Sequence, residues 1–197
     1  MPDLDSFKMQ RIHDLKLKES LCVAAVVQVL KFDPEKMTVN VQPLSKQLEN
    51  GKYESQPPIL CVPVAVTHSG GFLFRPWFKP GDTGVVVYLD HDMDATVTGG
   101  KEAKPLTERN HATTDAIFVG AIVSGDYKVE GLPEESIAIA KDDGSIYVAI
   151  TKDKVIVKNE DTTAEFTATS IDMKSVDMNI TLGGNMTVTT GGKIFLN

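Results

Sequence analysis

The stretch IYVAITKDKVIVKNEDTTAEFTATSIDMKSVDMNITLGGNMTV, running from Ile146 to Val188, decides how this chain is read. Its apolar residues fall at alternate positions: Ile146, Val148 and Ile150, then Val155 and Val157, then Phe166, Ile171 and Met173, then Val176, Met178, Ile180 and Leu182, then Met186 and Val188. The residues between them are mostly Thr, Lys, Asp, Asn and Ser. A period of two gives each segment one dry and one wet face, which is the pattern of short β-strands. Asp142-Asp143-Gly144, Lys152-Asp153, Asn159-Glu160-Asp161, Gly183-Gly184-Asn185 and Gly191-Gly192 interrupt the runs. Such residues supply the dihedral angles of tight turns, so strands of about four to eight residues follow one another with almost no loop.

A segment of this kind, here residues 137–197, buries little by itself, because one apolar row with few aromatic residues makes a marginal core. Three copies wound together would place the apolar rows on a shared axis and leave no open sheet edge except at the ends. The expectation is a trimeric intertwined β-helix or β-prism, whose core would be the fourteen residues named above, Ile146 to Val188. An ordinary half-sandwich packed on the rest of the chain and a single-chain solenoid are the alternatives; the strand spacing shows no fixed repeat, which counts against the solenoid.

Upstream, residues 21–124 read as a small barrel, residues 125–136 as a linker, and residues 1–20 as an arm or helix carrying Leu4, Phe7, Ile12 and Leu15. In the barrel region Val23–Leu30 and Met37–Gln42 flank the turn former Asp33-Pro34-Glu35 and predict a hairpin. Tyr53–Ile59 leads through Pro57-Pro58 into Cys61–Thr67, whose Pro63 restricts it to an edge or a bulge. Phe72–Phe74 is a short apolar piece, Gly84–Leu89 reads as a central strand, and Ala116–Val123 as the last one. Uneven loops between so few strands point to the five-stranded OB type. Leu21–Leu30 is too short for a membrane span and lacks a cleavage site, so it reads as a buried strand.

The formal net charge of -7 argues against a general affinity for phosphate backbones, and nucleic acid is not an expected partner. Cys22 and Cys61, the two cysteines, each sit in an apolar run and read as buried free thiols.

Two runs carry a resemblance. Lys79-Pro80-Gly81-Asp82 through Gly84-Val85-Val86-Val87-Tyr88-Leu89 to Asp90-His91-Asp92-Met93-Asp94 is similar to the segment of phage baseplate central spike proteins with a PGD turn, an apolar strand and an acidic D-x-D. Arg109-Asn110-His111 followed by Asp115-Ala116-Ile117 resembles the R-x-H-x-x-x-D-A-I segment of the same family. The resemblance implies a membrane-piercing protein of a contractile tail, with an OB-like barrel ahead of a trimeric β-helix, a baseplate hub bound at the N-terminal side, transient contact with the host envelope, and a place in the virion after synthesis in the host cytoplasm. Some members carry a lysozyme domain between barrel and needle, for which Gly125–Glu135 leaves no room. Many end in an apex where H-x-H pairs hold iron; this chain has no histidine after His111, so neither that iron nor any other cofactor is expected. A separate PAAR-like cap covering Ile194, Phe195, Leu196 and Asn197 is the expectation instead.

Other chemistry finds little support. Asp90, Asp92 and Asp94 have the opening spacing of a calcium loop, but Ala95 stands where such a loop needs Gly and Lys101 where it needs Glu. A solvated polar turn is the simpler reading. His68, His91 and His111 lack close ligand spacing, and a pair of His111 with Asp115 accounts for the last of them more simply than zinc. With no nucleophile elbow, phosphate loop or Cys/His signature, and with Glu134-Glu135 in a Pro-flanked stretch, the chain is not expected to be an enzyme. The rival reading is a trimeric OB module that binds glycan or oligonucleotide through Trp77, Phe78 and Tyr88, with the C-terminal strands as a stalk.

Overall fold

The computed structural model describes residues 8, 9, 11, 13, 21–123, 127–179, 181 and 184. The fold is almost entirely β. It divides into two compact units, Met1–Asp126 and Tyr127–Asn197. Within the first twenty positions, Lys8, Met9, Arg11 and His13 are helical and exposed. No helix among the described residues is long and apolar enough to cross a membrane.

The first unit is built on a five-stranded antiparallel sheet. Its strands are β1 (Ala24–Asp33), β2 (Thr38–Pro43), β5 (Ile59–Pro63), β8 (Thr83–Tyr88) and β9 (Ala116–Ala121), in the order β5-β2-β1-β8-β9. The β1–β2 hairpin turns where expected, with the Asp33 carboxylate accepting the backbone N–H groups of Glu35 and Lys36, both at 3.0 Å. Alternation then does its work: Val27, Val29, Val39, Val41, Val86 and Phe118 point inward and are almost fully buried. Phe78 packs edge-on between Phe32 and Phe118, with ring centroids 5.4 and 5.1 Å away.

Three local irregularities curl this sheet. The pairing register shifts between Val29 and Lys31 on β1, between Val39 and Val41 on β2, and between Val85 and Val86 on β8. Each leaves an extra residue on one strand, and such bulges bend and twist a sheet. The outer edges approach each other as a result: just past β5, Val64 bridges Phe118 in a parallel sense, and the Ala65 N–H donates to the Phe118 carbonyl at 2.8 Å. This half-barrel, with its parallel contact between the third and fifth strands of the sheet, fits the OB-like expectation. The bulge on β5 also corrects one reading. Cys61 has a φ of +56°, its N–H donates to Asn40 Oδ1 at 2.9 Å, and its side chain is exposed rather than buried; Cys22 is half-buried.

Two small ribbons are met by the sequence reading only in part, at Tyr53 and at Phe72–Phe74. Strands β3 (Gln47–Glu49) and β4 (Lys52–Glu54) pair around Asn50-Gly51, and β6 (Thr67–Ser69) and β7 (Phe72–Phe74) around Gly70-Gly71. All four turn residues have positive φ, the conformation that two-residue hairpin turns demand. A short helix α1 (Asp94–Gly99) follows β8 and ends on Gly100 in the left-handed region.

The second unit is a five-stranded antiparallel meander of β10 (Ile137–Ala140), β11 (Ile146–Ile150), β12 (Lys154–Asn159), β13 (Thr162–Thr167) and β14 (Ile171–Lys174), in sequence order. The first three turns fall at the predicted polar clusters, and the fourth, at Ala168-Thr169-Ser170, does not. In the first, Asp143 accepts Lys141 Nζ at 2.7 Å and the Ser145 N–H at 2.9 Å, and the lysine holds its carboxyl well below the usual range. Gly144 there has a φ of +65°, and a Cβ would run into the Glu130 carbonyl. The ladders of this sheet run within one chain.

Candidate functional site

The two motifs quoted from the sequence meet. The Lys79–Asp82 turn feeds β8 by continuing the ladder with β1: the Gly81 N–H donates to the Val29 carbonyl and the Val29 N–H to the Asp82 carbonyl, both at 2.8 Å. Asp82 Oδ2 accepts the Lys79 N–H at 2.7 Å and closes the turn. At the far end of β8 the chain passes through Asp90–Asp94 into α1, and the loop that returns to β9 brings Arg109 back to it.

Arg109 is the centre of that junction. Its Nε donates to Asp115 Oδ2 at 3.0 Å and its Nη2 to Asp115 Oδ1 at 3.1 Å, while Nη2 also reaches Asp94 Oδ2 at 3.1 Å and Asp92 Oδ1 at 3.2 Å. Asp115 is 1% exposed and Asp92 4%, so both carboxylates depend on the guanidinium and on hydrogen bonds for their charge to be tolerated. Asp92 accepts the Thr107 hydroxyl at 2.7 Å and the Asp94 N–H at 3.0 Å; these bonds, with Arg109 beside them, hold its carboxyl below the usual range. The solvated turn expected at Asp90–Asp94 is therefore corrected at Asp92, which is drawn into the junction to meet an arginine, while Asp90 and Asp94 stay exposed. Oxygens of Asp92, Asp94 and Asp115 lie close enough together for a cation, and Arg109 already supplies positive charge among them.

The histidines resolve differently from the expectation as well. Asp115 is taken by Arg109, so His111 pairs instead with Asp90, Nε2 to Oδ1 at 3.6 Å. His91 Nδ1 lies 2.8 Å from the Asn110 amide, and His68 sits in the exposed ribbon strand β6. Of the aromatic residues considered for ligand binding, Phe78 and Tyr88 belong to the barrel core and only Trp77 is exposed. Glu134 and Glu135 are exposed.

The second candidate surface is one face of the C-terminal meander. Register places Ile137, Ile150, Val155, Phe166 and Ile171 in one row across all five strands, and Ile139, Val148, Val157, Ala164 and Met173 in the next. Every strand contributes to both rows. Val148, at the middle, is 47% exposed. The reverse face carries Lys154, Lys158, Glu165, Asp172 and Lys174, with a small cluster of Tyr147, Ala149 and Ile156 against Leu132 and Ala138. Ile146, Val176 and Met178, also expected in the core, are exposed. Ile180, Leu182, Met186, Val188 and the expected cap surface Ile194–Asn197 lie outside the described residues.

These observations meet a comparison with known families. Residues 26–121 match the family described as phage protein Gp138 N-terminal domain. The matched span begins in β1 and ends with β9, so it is the half-barrel, including both motifs joined at Arg109. The match supports a phage structural protein, a component of the virion. No curated protein matches the chain.

Proposed function

We propose that this chain is the central spike of a contractile-tail baseplate, a homotrimer that perforates the host cell envelope mechanically. The observation that carries the reading is the pair of apolar rows across the C-terminal meander, ten side chains on one face of a sheet whose other face mixes charged side chains with the small Tyr147, Ala149 and Ile156 cluster. A patch this continuous on a soluble protein marks an association surface. With each described strand paired to its sequence neighbours, copies would meet through the apolar side chains, three faces turned inward to make a β-prism with the lysines and carboxylates outside.

Such a shaft resists buckling because many hydrogen bonds and a packed interior must fail together. Strands stacked at ~4.8 Å give roughly 20 Å from β10 to β14. The reading contains no chemical step: contraction of a sheath supplies the work, and the chain is not an enzyme and holds no cofactor. Its partners are a hub protein on the N-terminal side, a PAAR-like cap on residues 194–197, and the envelope during passage. Light scattering of the purified full chain tests it: the mass of three chains is the expected result, and a monomer at micromolar concentration overturns it.

A further inference from the structure

The β6–β7 ribbon of the first unit has no role in the barrel core. Every residue from Thr67 to Arg75 is exposed. Register pairs Ser69 with Phe72 and His68 with Leu73, so Phe72 and Phe74 point to one side of the ribbon and Leu73 to the other. Phe72, next to the Gly70-Gly71 turn, is 83% exposed. A protein groove would take one face of such a ribbon; apolar side chains on both faces of a protruding tip suit a medium that surrounds it.

The charge pattern points the same way. The chain carries a net charge of -7, yet no Asp or Glu occurs between Glu54 and Asp82, and the stretch between them holds Arg75 and Lys79. Both are exposed, and Arg75 Nη2 rests on the Pro34 carbonyl at 2.9 Å, in a turn whose Asp33 and Glu35 are offset by Lys31 and Lys36. Trp77 follows, 66% exposed, with its ring edge-on to Phe32 at 5.7 Å. Aromatic side chains flanked by cations are the composition that settles at the boundary between headgroups and acyl chains.

We infer that the β6–β7 ribbon is a membrane-contact element that inserts Phe72, Leu73 and Phe74 into the surface of a bilayer containing anionic lipids. Three residues per strand reach roughly 10 Å, which matches the shallow depth of interfacial insertion. Arg75 and Lys79 supply attraction to the negative headgroups. The inference stands on the barrel's surface alone and is independent of whether the C-terminal sheet trimerises.

The test uses the full chain and vesicles of phosphatidylglycerol with phosphatidylethanolamine, against vesicles of phosphatidylcholine alone. Trp77 is the chain's one tryptophan, so its emission reports on this surface directly. The expected result is co-sedimentation with the anionic vesicles, a blue shift of the emission, and loss of both as salt is raised. The F72S/F74S variant should bind roughly tenfold more weakly or worse, and R75Q/K79Q should lose roughly fivefold per cation. Because these side chains are exposed, the variants should keep the wild-type thermal melt. Should one fail to fold, quenching of wild-type Trp77 by acyl-chain-brominated lipids decides instead. Absence of wild-type binding, absence of quenching, or a folded F72S/F74S that binds as well as wild type overturns the inference and leaves the ribbon to a protein partner.

Discussion

At the residue scale, two positions hold the barrel's ends together. Gly84 on β8 lies beneath the Phe118 ring, where an added Cβ would overlap that ring and press on the Gly120 carbonyl. Gly84→Ala should therefore cost at least about 2 kcal/mol by overpacking, seen as a lowered thermal midpoint. The Arg109 junction gives an acid-sensitive counterpart. Asp92 is held below its ordinary value of 3.8, first by the Thr107 hydroxyl, then by the Asp94 N–H and Arg109. A carboxyl depressed in the folded state contributes stability that is full above its unfolded value and lost as pH falls through the folded one. Thr107→Val should thus raise the pH at which the barrel unfolds in an acid titration followed by circular dichroism. Arg109→Met should lower the thermal midpoint further than Thr107→Val at pH 7, because it leaves two buried carboxylates without their cation. The motif residues were visible in the sequence, yet their meeting was not. Asp92 and Arg109 are separated by a helix and a loop, and nothing in local spacing says that a D-x-D following a strand will turn inward rather than face water.

At the element scale, the C-terminal strands were the most legible part of the chain, since period-two alternation and turn residues both act locally. What alternation could not give was pairing. The same pattern serves ladders that cross between chains and ladders within one; the five described strands pair in sequence order. Seven of the ten residues in the two apolar rows are among those expected in the core, and the opposed pair Val148 and Val157 lies at the middle of the face. Val148→Asp or Val157→Asp should convert the assembled species to single chains in light scattering while the barrel's own melt stays in place. Lys154 on the reverse face donates to Glu165 at 2.6 Å, and both are half-exposed, so Lys154→Ala should change stability by only ~0–1 kcal/mol and leave the mass unaltered. The ribbons show the opposite failure of reading. Asn50-Gly51 and Gly70-Gly71 are strong hairpin signals, but strands of three residues around them are too short for any periodicity to register. Cys61 was misplaced for a related reason: the bulge that turns it outward depends on Asn40, twenty-one residues away.

At the scale of the whole molecule, the chain joins a unit with a closed interior to one whose larger apolar face is open. The barrel's core of Val27, Val41, Val86 and Phe118 is complete within one chain, whereas the meander's two rows are not buried by their own sheet. The two units should accordingly regain structure by steps of different kinetic order. Barrel recovery after dilution from denaturant should proceed at a rate indifferent to protein concentration. On the proposed trimer, burial of the C-terminal sheet's apolar face should slow as the sample is diluted, because each encounter needs another molecule. A tenfold dilution series followed by Trp77 emission for the first step and by light scattering for the second separates them. For a cell making this protein, the proposed trimer would mean that finished assemblies climb more steeply than the number of chains, and a small early pool of chains would wait, half-finished, for company.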